Sequence, residues 1–196
     1  HAYFESNLVG TLNVLEMCRK FGIKKMIFAS TSTVYGARAR TPFQEDALTD
    51  RPLSPYAASK KAAEMLGYSY HHLYGLDVIA LRYFTVYGPA GRPDTTPLRF
   101  VQRIREGYPV YLYGDGSAQR DYTFSEDVAR ATVGALKPVG FQAINIGSDH
   151  PITVMDAIRL VEEIVGRSAQ LVYRPSHNAD MRATWADISK AKILLD

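Results

Sequence analysis

Short apolar segments alternate with longer segments of helical pattern along this chain. Residues 24–30, 77–83 and 143–146 are rich in aliphatic side chains and predict buried strands. Residues 3–21 and 54–74 carry apolar side chains at helical spacing and predict helices. Strands buried on both faces occur in parallel sheets that are covered by helices. The alternation therefore predicts an α/β fold built on a parallel sheet.

Gly and Pro mark the ends of these segments. Gly22 and Gly75 predict helix C-termini, and Pro55 predicts the first turn of the second helix. The apolar positions of residues 3–21 cover more than one helical face, so this helix is expected to be buried on two sides. The remaining pattern predicts helices over residues 98–106, 125–136, 153–165 and from 188, strands over 110–113, 119–124 and 171–173, and a loop over 85–97.

Composition argues against several classes of protein. The 196 residues are 46% hydrophobic with a net charge of +3, and no basic block stands out, so no nucleic-acid partner is expected. No apolar run approaches the ~20 residues that span a bilayer, so no membrane association is expected. Cys18 is the only cysteine, and its apolar neighbours predict a buried, reduced thiol in a cytoplasmic protein. The five histidines show no ligand spacing, so no metal site is predicted.

Tyr56 and Lys60 are the first candidate for chemistry. They stand four residues apart in a predicted helix, which places both side chains on one face. An ammonium beside a phenol favours the phenolate, so the pKa of Tyr56 is expected to fall from its free value of about 10. Such a phenol can transfer protons near neutral pH. The same spacing also occurs where Tyr and Lys only pack on a helix surface. The flanking sequence therefore has to distinguish a catalytic pair from a packing pair.

Further motifs accompany this pair in a fixed order over nearly the whole chain, and their joint order is specific although each alone is weak. They occupy residues 6–13, 29–36, 56–60, 81–89, 91–94, 114–117, 120–122 and 185–190. On these motifs the chain resembles the extended short-chain dehydrogenases. Within them it is most similar to the NAD-dependent nucleotide-sugar epimerases and dehydratases, in particular the UDP-glucuronate and UDP-glucose 4-epimerases.

The resemblance implies NAD as cofactor and inversion of C4 of a UDP-sugar through a transient 4-keto intermediate. Tyr56 would be the general base, and Lys60 would bind the nicotinamide ribose. Thr31 matches the family's catalytic hydroxyl. Ser32 and Thr33 are near enough in sequence to share that role and are assigned to substrate binding. The hydroxyl run could also simply cap the end of a strand.

Other site residues follow from the same resemblance. Ser30, Tyr83 and Phe84 are expected to bind the cofactor, the last two in the nicotinamide pocket. Arg120 matches a residue that clamps the substrate diphosphate, for which a guanidinium is suited. The remaining expected substrate contacts are Thr85, Val110, Leu112 and Asp180.

Arg92 bears on the identity of the sugar. It lies in a Gly- and Pro-rich loop like that of UDP-glucuronate 4-epimerases, where an arginine could pair with the C6 carboxylate. UDP-glucuronate is therefore favoured, with UDP-glucose or UDP-galactose next, since Arg92 could equally be a solvated loop residue. A dehydratase is disfavoured because that chemistry requires an acidic pair where this chain has Ser32 and Thr33.

The chain also departs from the family pattern. It contains no glycine-rich GxxGxxG turn, which in the family begins the NAD-binding half. Residues 1–90, returning at 119–148, are thus predicted to be the remaining half of a doubly wound Rossmann-type domain, and residues 91–196 mainly a small α+β UDP-sugar-binding lobe. His177 replaces an arginine of the family, which puts one phosphate contact in doubt. A truncated, non-catalytic module for UDP-sugar binding or dimerisation is the alternative function.

The resemblance further implies a homodimer. Helices 3–21 and 54–74 would form a four-helix bundle between two copies of the chain. Small residues are expected to allow close approach of the helices there, and leucines to supply apolar area: Ala57, Ala58, Ala62, Ala63, Gly67, Leu8, Leu12 and Leu15.

Overall fold

The computed structural model describes residues 1–37, 39–176 and 180–195, so His177 lies outside the described residues. The first helix has a wide turn over Phe4–Val9 and continues as α1. The helices are α1 (Gly10–Phe21), α2 (Pro55–Tyr74), α3 (Thr96–Glu106), α4 (Ser125–Gly134), α5 (Val154–Val165) and α6 (Ser189–Leu194). The strands are β1 (Lys25–Thr31), β2 (Asp77–Tyr83), β3 (Thr85–Tyr87), β4 (Val110–Tyr113), β5 (Gln119–Phe124), β6 (Phe141–Ile146), β7 (Pro151–Thr153) and β8 (Leu171–Arg174).

The main sheet has the strand order β1-β2-β6, and all its pairs are parallel. The register aligns Thr31 with Tyr83 and Tyr83 with Ile146, so the three strands end at one edge. Residues 78–82 of the central strand are buried. The predicted α/β fold with a parallel sheet is confirmed.

Helices cover both faces of this sheet. On one face, α1 and α2 pack over a core of Leu15, Cys18, Tyr70, Leu76 and Val78. On the other face, α4 and α6 contribute partly buried side chains to a core of Ile79, Leu81, Ala135, Ile144 and Ile146. The thiol of Cys18 is buried and unpaired, as the sequence predicted. The two cores make the three-layer arrangement that a parallel sheet requires.

The rest of the chain builds a second group of elements beside the sheet. Strands β4 and β8 pair in parallel, and α3 and α5 pack on them over a core of Phe100, Ile104, Val110, Leu112 and Ile158. Strand β5 pairs with β3 and, antiparallel, with β7. Strands β3 and β7 were not predicted, because three residues are too few to show a period of two.

The first helix is covered on one side only in the described chain. Leu15 is fully buried, whereas Val9, Val14 and Met17 are each about half exposed, at 48–49%. No described element of the chain packs on the outer face, so the predicted burial on a second side stays a prediction that needs a further packing partner.

Several small residues expected between two copies are already packed within the single chain. Ala57 and Ala63 are buried. A Cβ atom on Gly67 would lie 3.0 Å from Cγ1 of Val78 and 3.5 Å from Cε1 of Phe28. Gly67 therefore allows the close packing of α2 on β1 and β2. No helix in the described part of the chain is long and apolar enough to cross a bilayer.

Candidate active site

The predicted hydroxyl run lies where β1 ends. Thr31 is the last residue of β1, and a short helical turn, Ser32–Tyr35, follows it directly. The Thr31 Oγ1 atom accepts a hydrogen bond of 3.2 Å from the backbone N–H of Thr33 and lies 3.1 Å from the Oγ1 atom of Thr33. Thr31 and Ser32 are buried, and Thr33 is half-buried. The turn therefore holds three hydroxyls at the carboxyl edge of the sheet.

Helix α2 presents the predicted tyrosine and lysine beside this edge. The Ser54 hydroxyl caps the helix by accepting a bond of 3.1 Å from the Ala57 N–H, and Pro55 takes the first helical position. Lys60 reaches β1, where its Nζ atom donates a hydrogen bond of 2.9 Å to the carbonyl oxygen of Ala29. Burial lowers the pKa of Lys60 below its ordinary value. The amine is thus anchored two residues before Thr31.

Tyr56 is half-buried at the start of the same helix face. Its ring meets the ring of Tyr3 edge to face, with centroids 5.4 Å apart. Among the residues the structure describes, no hydrogen bond joins the Tyr56 hydroxyl to Thr31, and Lys60 pairs with a carbonyl rather than an acid. The contact described for the Tyr56 ring is therefore with Tyr3.

Ser30 has a different environment from the one expected of a cofactor-binding residue. Its hydroxyl donates a bond of 2.7 Å to Oε1 of Glu64, and both residues are buried. Glu64 also binds Arg82 through two hydrogen bonds. The structure thus directs the Ser30 hydroxyl into the contact between β1 and α2.

Tyr83 and Phe84 are not brought together with Tyr56. Successive residues of a strand point to opposite faces, so Arg82 reaches α2 while the Tyr83 hydroxyl lies 2.9 Å from Oγ1 of Thr132 on α4. Phe84 is buried in a separate cluster with Val34, Tyr35, Phe43 and Ala186. Both side chains serve core packing here.

Five of the predicted substrate residues line one cavity of about 1030 Å³, next to the carboxyl edge of the sheet. They are Thr85, Val110, Leu112, Arg120 and Asp180. Four guanidinium groups line it, those of Arg99, Arg103, Arg120 and Arg182, against the two carboxylates of Asp115 and Asp180. An excess of cationic groups in a concave site favours anionic ligands.

Arg120 is oriented by the backbone. Its Nη1 atom donates bonds of 2.8 Å to the carbonyl oxygens of Gln119 and Met181, the latter next to Asp180. Such bonds fix the direction of the guanidinium while its other N–H groups remain available for an anion. The buried Val110 and Leu112 provide the apolar wall of the same cavity.

Arg92 lies outside the residues that line this cavity. Its side chain is 75% exposed and its Nε atom is 2.5 Å from Oδ1 of Asp94. The structure therefore does not unite Arg92 with Arg120. Arg99, one turn into α3, takes a place in the cavity wall that the sequence analysis did not assign.

Glu64 and Arg82 were not among the predicted site residues, although the chain carries signals for both. Glu64 follows Lys60 by four residues, which is again the spacing of one helix face. Arg82 is a charged residue within an apolar strand, and a buried charge requires a partner. No group of metal-ligating side chains was found in the described part of the chain.

Comparison with known proteins adds to this geometry. The family model described as "NAD dependent epimerase/dehydratase family" matches residues 1–147. A UDP-glucuronate 4-epimerase of Thermodesulfobacterium geofontis is 51% identical over 195 residues, which are 99% of this chain and 60% of that protein.

Solved structures show the same likeness. The Bacillus cereus UDP-glucuronic acid 4-epimerase, in complex with UDP-glucuronic acid and NAD, is 40% identical with a TM-score of 0.91 over 96% of this chain and 60% of that one. The Thermotoga maritima UDP-glucose 4-epimerase with UDP-glucose is 35% identical with a TM-score of 0.92 over 97% and 63%. The chain spans about 60% of the length of these relatives.

Proposed function

The chain belongs to the NAD-dependent epimerase/dehydratase family, and from this premise we propose that it serves the NAD-dependent inversion of C4 in a UDP-sugar. The observation that carries the proposal is the position of Tyr56 and Lys60. Both lie on one face of α2, and Lys60 is hydrogen-bonded to β1 two residues before Thr31. A phenol, an ammonium and a hydroxyl at the carboxyl edge of a parallel sheet are the parts that alcohol oxidation needs.

The residues present fit the nicotinamide end of NAD. Among the described residues, Lys60 uses one of its three N–H donors, on Ala29, so two remain for ribose hydroxyls. NAD, when bound, supplies the acceptor and donor of hydride. Residues 1–90 together with 119–148 would form the part that faces it.

Proton transfer falls to the chain's own side chains. The Tyr56 oxygen takes the proton of the sugar C4 hydroxyl as the C4–H bond is broken, and returns it when the 4-keto sugar is reduced on its other face. Thr31 orients the C4 hydroxyl, with Thr33 fixing the Thr31 side chain at 3.1 Å. Ser32 supplies a further hydroxyl in this turn for binding the substrate.

The cavity beside the sheet is the site proposed for the UDP moiety, within a lobe that comprises mainly residues 91–196. Arg120 would bind the diphosphate, Val110 and Leu112 would flank the uracil, and Asp180 would bind a ribose hydroxyl. Thr85, which lines the cavity two residues after β2 ends, would lie on the sugar side. A volume of about 1030 Å³ leaves room for the sugar to turn over.

UDP-glucuronate is the favoured substrate, ahead of UDP-glucose. The 51% identical relative is named a UDP-glucuronate 4-epimerase, and Arg99 on α3 brings to the cavity wall a guanidinium suited to the sugar carboxylate. Incubation of the purified protein with each UDP-sugar, followed by NMR of the product, tests this proposal. The C4 epimer is expected, and a 4-keto-6-deoxy sugar would instead identify a dehydratase.

A non-catalytic module for UDP-sugar binding or dimerisation is the second candidate, because the arginine-lined cavity suits binding of an anionic sugar nucleotide without any catalysis. Denaturing the purified protein and measuring the released NAD separates the two functions. Stoichiometric NAD supports the enzyme, whereas binding of UDP without any NAD supports the module.

Homodimer formation through α1 and α2 is also part of this proposal. These two helices expose large apolar side chains: Leu12, Val14, Met17, Met65, Tyr68 and Leu73. A group of large apolar side chains left exposed in this way is typical of an interaction surface.

A further inference from the structure

One buried ion pair contacts both ends of the hydroxyl turn, the segment of residues 31–35 that carries Thr31, Ser32 and Thr33. Arg82 on β2 donates two hydrogen bonds to Glu64 on α2, Nε to Oε1 at 2.9 Å and Nη2 to Oε2 at 2.8 Å. Both side chains are only 3% exposed. Buried charges are tolerated when every remaining donor and acceptor finds a partner. The other hydrogen-bond partners of Glu64 and Arg82 therefore show which segments the ion pair holds in place.

Ser30 connects the pair to the front of the turn. Its hydroxyl donates to Glu64 Oε1 at 2.7 Å, and the next residue is Thr31. Lys60, one turn before Glu64 on the same helix face, bonds the preceding carbonyl of Ala29. Two consecutive residues of β1 are thus linked to two consecutive turns of α2.

Tyr35 connects the pair to the back of the turn. Arg82 Nη1 donates to the Tyr35 hydroxyl at 3.0 Å, and the guanidinium carbon lies 4.9 Å from the centre of the Tyr35 ring. The hydroxyl in turn donates to Oδ1 of Asn145 at 2.6 Å. Burial raises the pKa of Tyr35 to about 12, so this donor stays protonated at neutral pH.

We propose that the Glu64–Arg82 pair is a positioning device that holds residues 31–34 from both ends and sets the Thr31 hydroxyl against the face of α2 that carries Tyr56 and Lys60. This inference rests on the proposed function. Glu64 and Arg82 do not themselves line the cavity. Their effect is on the placement of reacting groups, so loosening them lowers the rate of the chemical step rather than the affinity for the substrate.

The double variant S30A/Y35F tests the device because it removes both tethers and leaves the ion pair in place. We expect hydrogen–deuterium exchange of the amides of residues 31–36 to accelerate by about tenfold or more, since S30A removes one hydrogen bond to Glu64 and Y35F removes those to Arg82 and Asn145. For UDP-glucuronate, kcat should fall about tenfold or more with KM and bound NAD unchanged. The single variant S30A should show a smaller change of the same kind, and it serves alone if the double variant does not fold.

Tyr70→Phe is the matched control. Tyr70 is also a buried tyrosine with a hydroxyl bound to a side chain, that of Glu16, but at the far end of α2. The Tyr70→Phe variant should leave both kcat and the hydrogen–deuterium exchange of residues 31–36 unchanged. Unaltered exchange and unaltered kcat in S30A/Y35F would overturn the inference. If the unsubstituted protein epimerises neither sugar, the proposed function fails, while the exchange data still decide whether the tethers hold the turn.

Discussion

The ammonium of Lys60 donates a 2.9 Å hydrogen bond to the carbonyl oxygen of Ala29, and this contact joins α2 to the end of β1. Tyr56 lies one turn earlier on the same helix, so a shift of α2 along β1 would displace both groups relative to Thr31. The proposed chemistry therefore depends on helix–sheet packing as well as on the side chains themselves.

Replacement of Tyr56 by Phe should lower kcat about 10²- to 10⁴-fold, because it removes the proposed proton acceptor. Bound NAD should stay at the unsubstituted level, since the ring can keep its contact with Tyr3. Coupled assays with UDP-glucuronate measure the rate. Tyr68→Phe, an exposed tyrosine three turns further along α2, is the control and should keep full activity. Equal rates in the two variants would contradict the assignment.

Replacement of Arg120 by Ala should weaken UDP binding about tenfold or more, as expected for loss of a charge-assisted hydrogen bond. Isothermal titration calorimetry with UDP measures the change. Arg159→Ala removes an exposed guanidinium that pairs with Asp156 on α5, and it should leave the affinity unchanged. A similar loss in both variants would point to a general charge effect instead.

The stability of the protein should decrease at acid pH through Glu64. Burial raises the pKa of Glu64, but the hydrogen bonds and charge of Arg82, with Ser30 and Lys61, outweigh it and hold the pKa below its ordinary value. The unfolded state then binds more protons, so this stabilisation is present above the unfolded pKa of about 4.3 and is lost as pH falls through the folded pKa.

Urea unfolding from pH 7 to pH 3 measures this effect. Glu64→Gln should cost roughly 3–5 kcal/mol at pH 7, because Arg82 remains buried without its counter-ion. The difference from the unsubstituted protein should shrink as pH falls below about 4.3, because that protein then progressively loses the stabilisation that ionised Glu64 provides. A difference in unfolding free energy between Glu64→Gln and the unsubstituted protein that stays constant from pH 7 to pH 3 would contradict this dependence on Glu64 ionisation. Asp94→Asn, in an exposed pair, should change little at any pH.

Gly67→Ala should destabilise the protein by about 1–3 kcal/mol, since the added methyl group would lie 3.0 Å from Val78 in a packed core. Gly10→Ala is the matched control in an open helical position, where the nearest atom is Glu5 O at 3.7 Å, and it should stabilise by about 0.4–1 kcal/mol. Thermal unfolding of both variants measures these changes in stability, which should have opposite signs.

Leu12→Lys should convert the proposed dimer to a monomer, because a charge in an apolar interface is left unpaired. Leu12 is exposed on the outer face of α1 in the single chain, so folding should be unaffected. Light scattering at micromolar concentration measures the mass. A monomeric unsubstituted protein would remove the dimer proposal.

Much of the fold could be predicted because it is local. The bounds of β2, β4 and β5 were predicted to the residue, since each is a bounded run whose neighbours are turn residues. The partners of polar side chains were not local. Ser30 was expected at the cofactor, yet its hydroxyl partner, Glu64, is 34 residues away in sequence. Tyr83 was expected in the nicotinamide pocket, and strand alternation directs its hydroxyl to Thr132 on α4, on the face of the sheet opposite α2.

The sequence alone determined the helix–strand alternation, the family and the shared helix face of Tyr56 and Lys60, because periodicity and motif order are carried by neighbouring residues. Only the tertiary structure decided that Lys60 anchors on β1, that Glu64 and Arg82 brace the Thr31 turn, and that Arg99 rather than Arg92 lines the cavity. These contacts join residues from separate elements. Their geometry depends on how helices and strands pack, which no local pattern records.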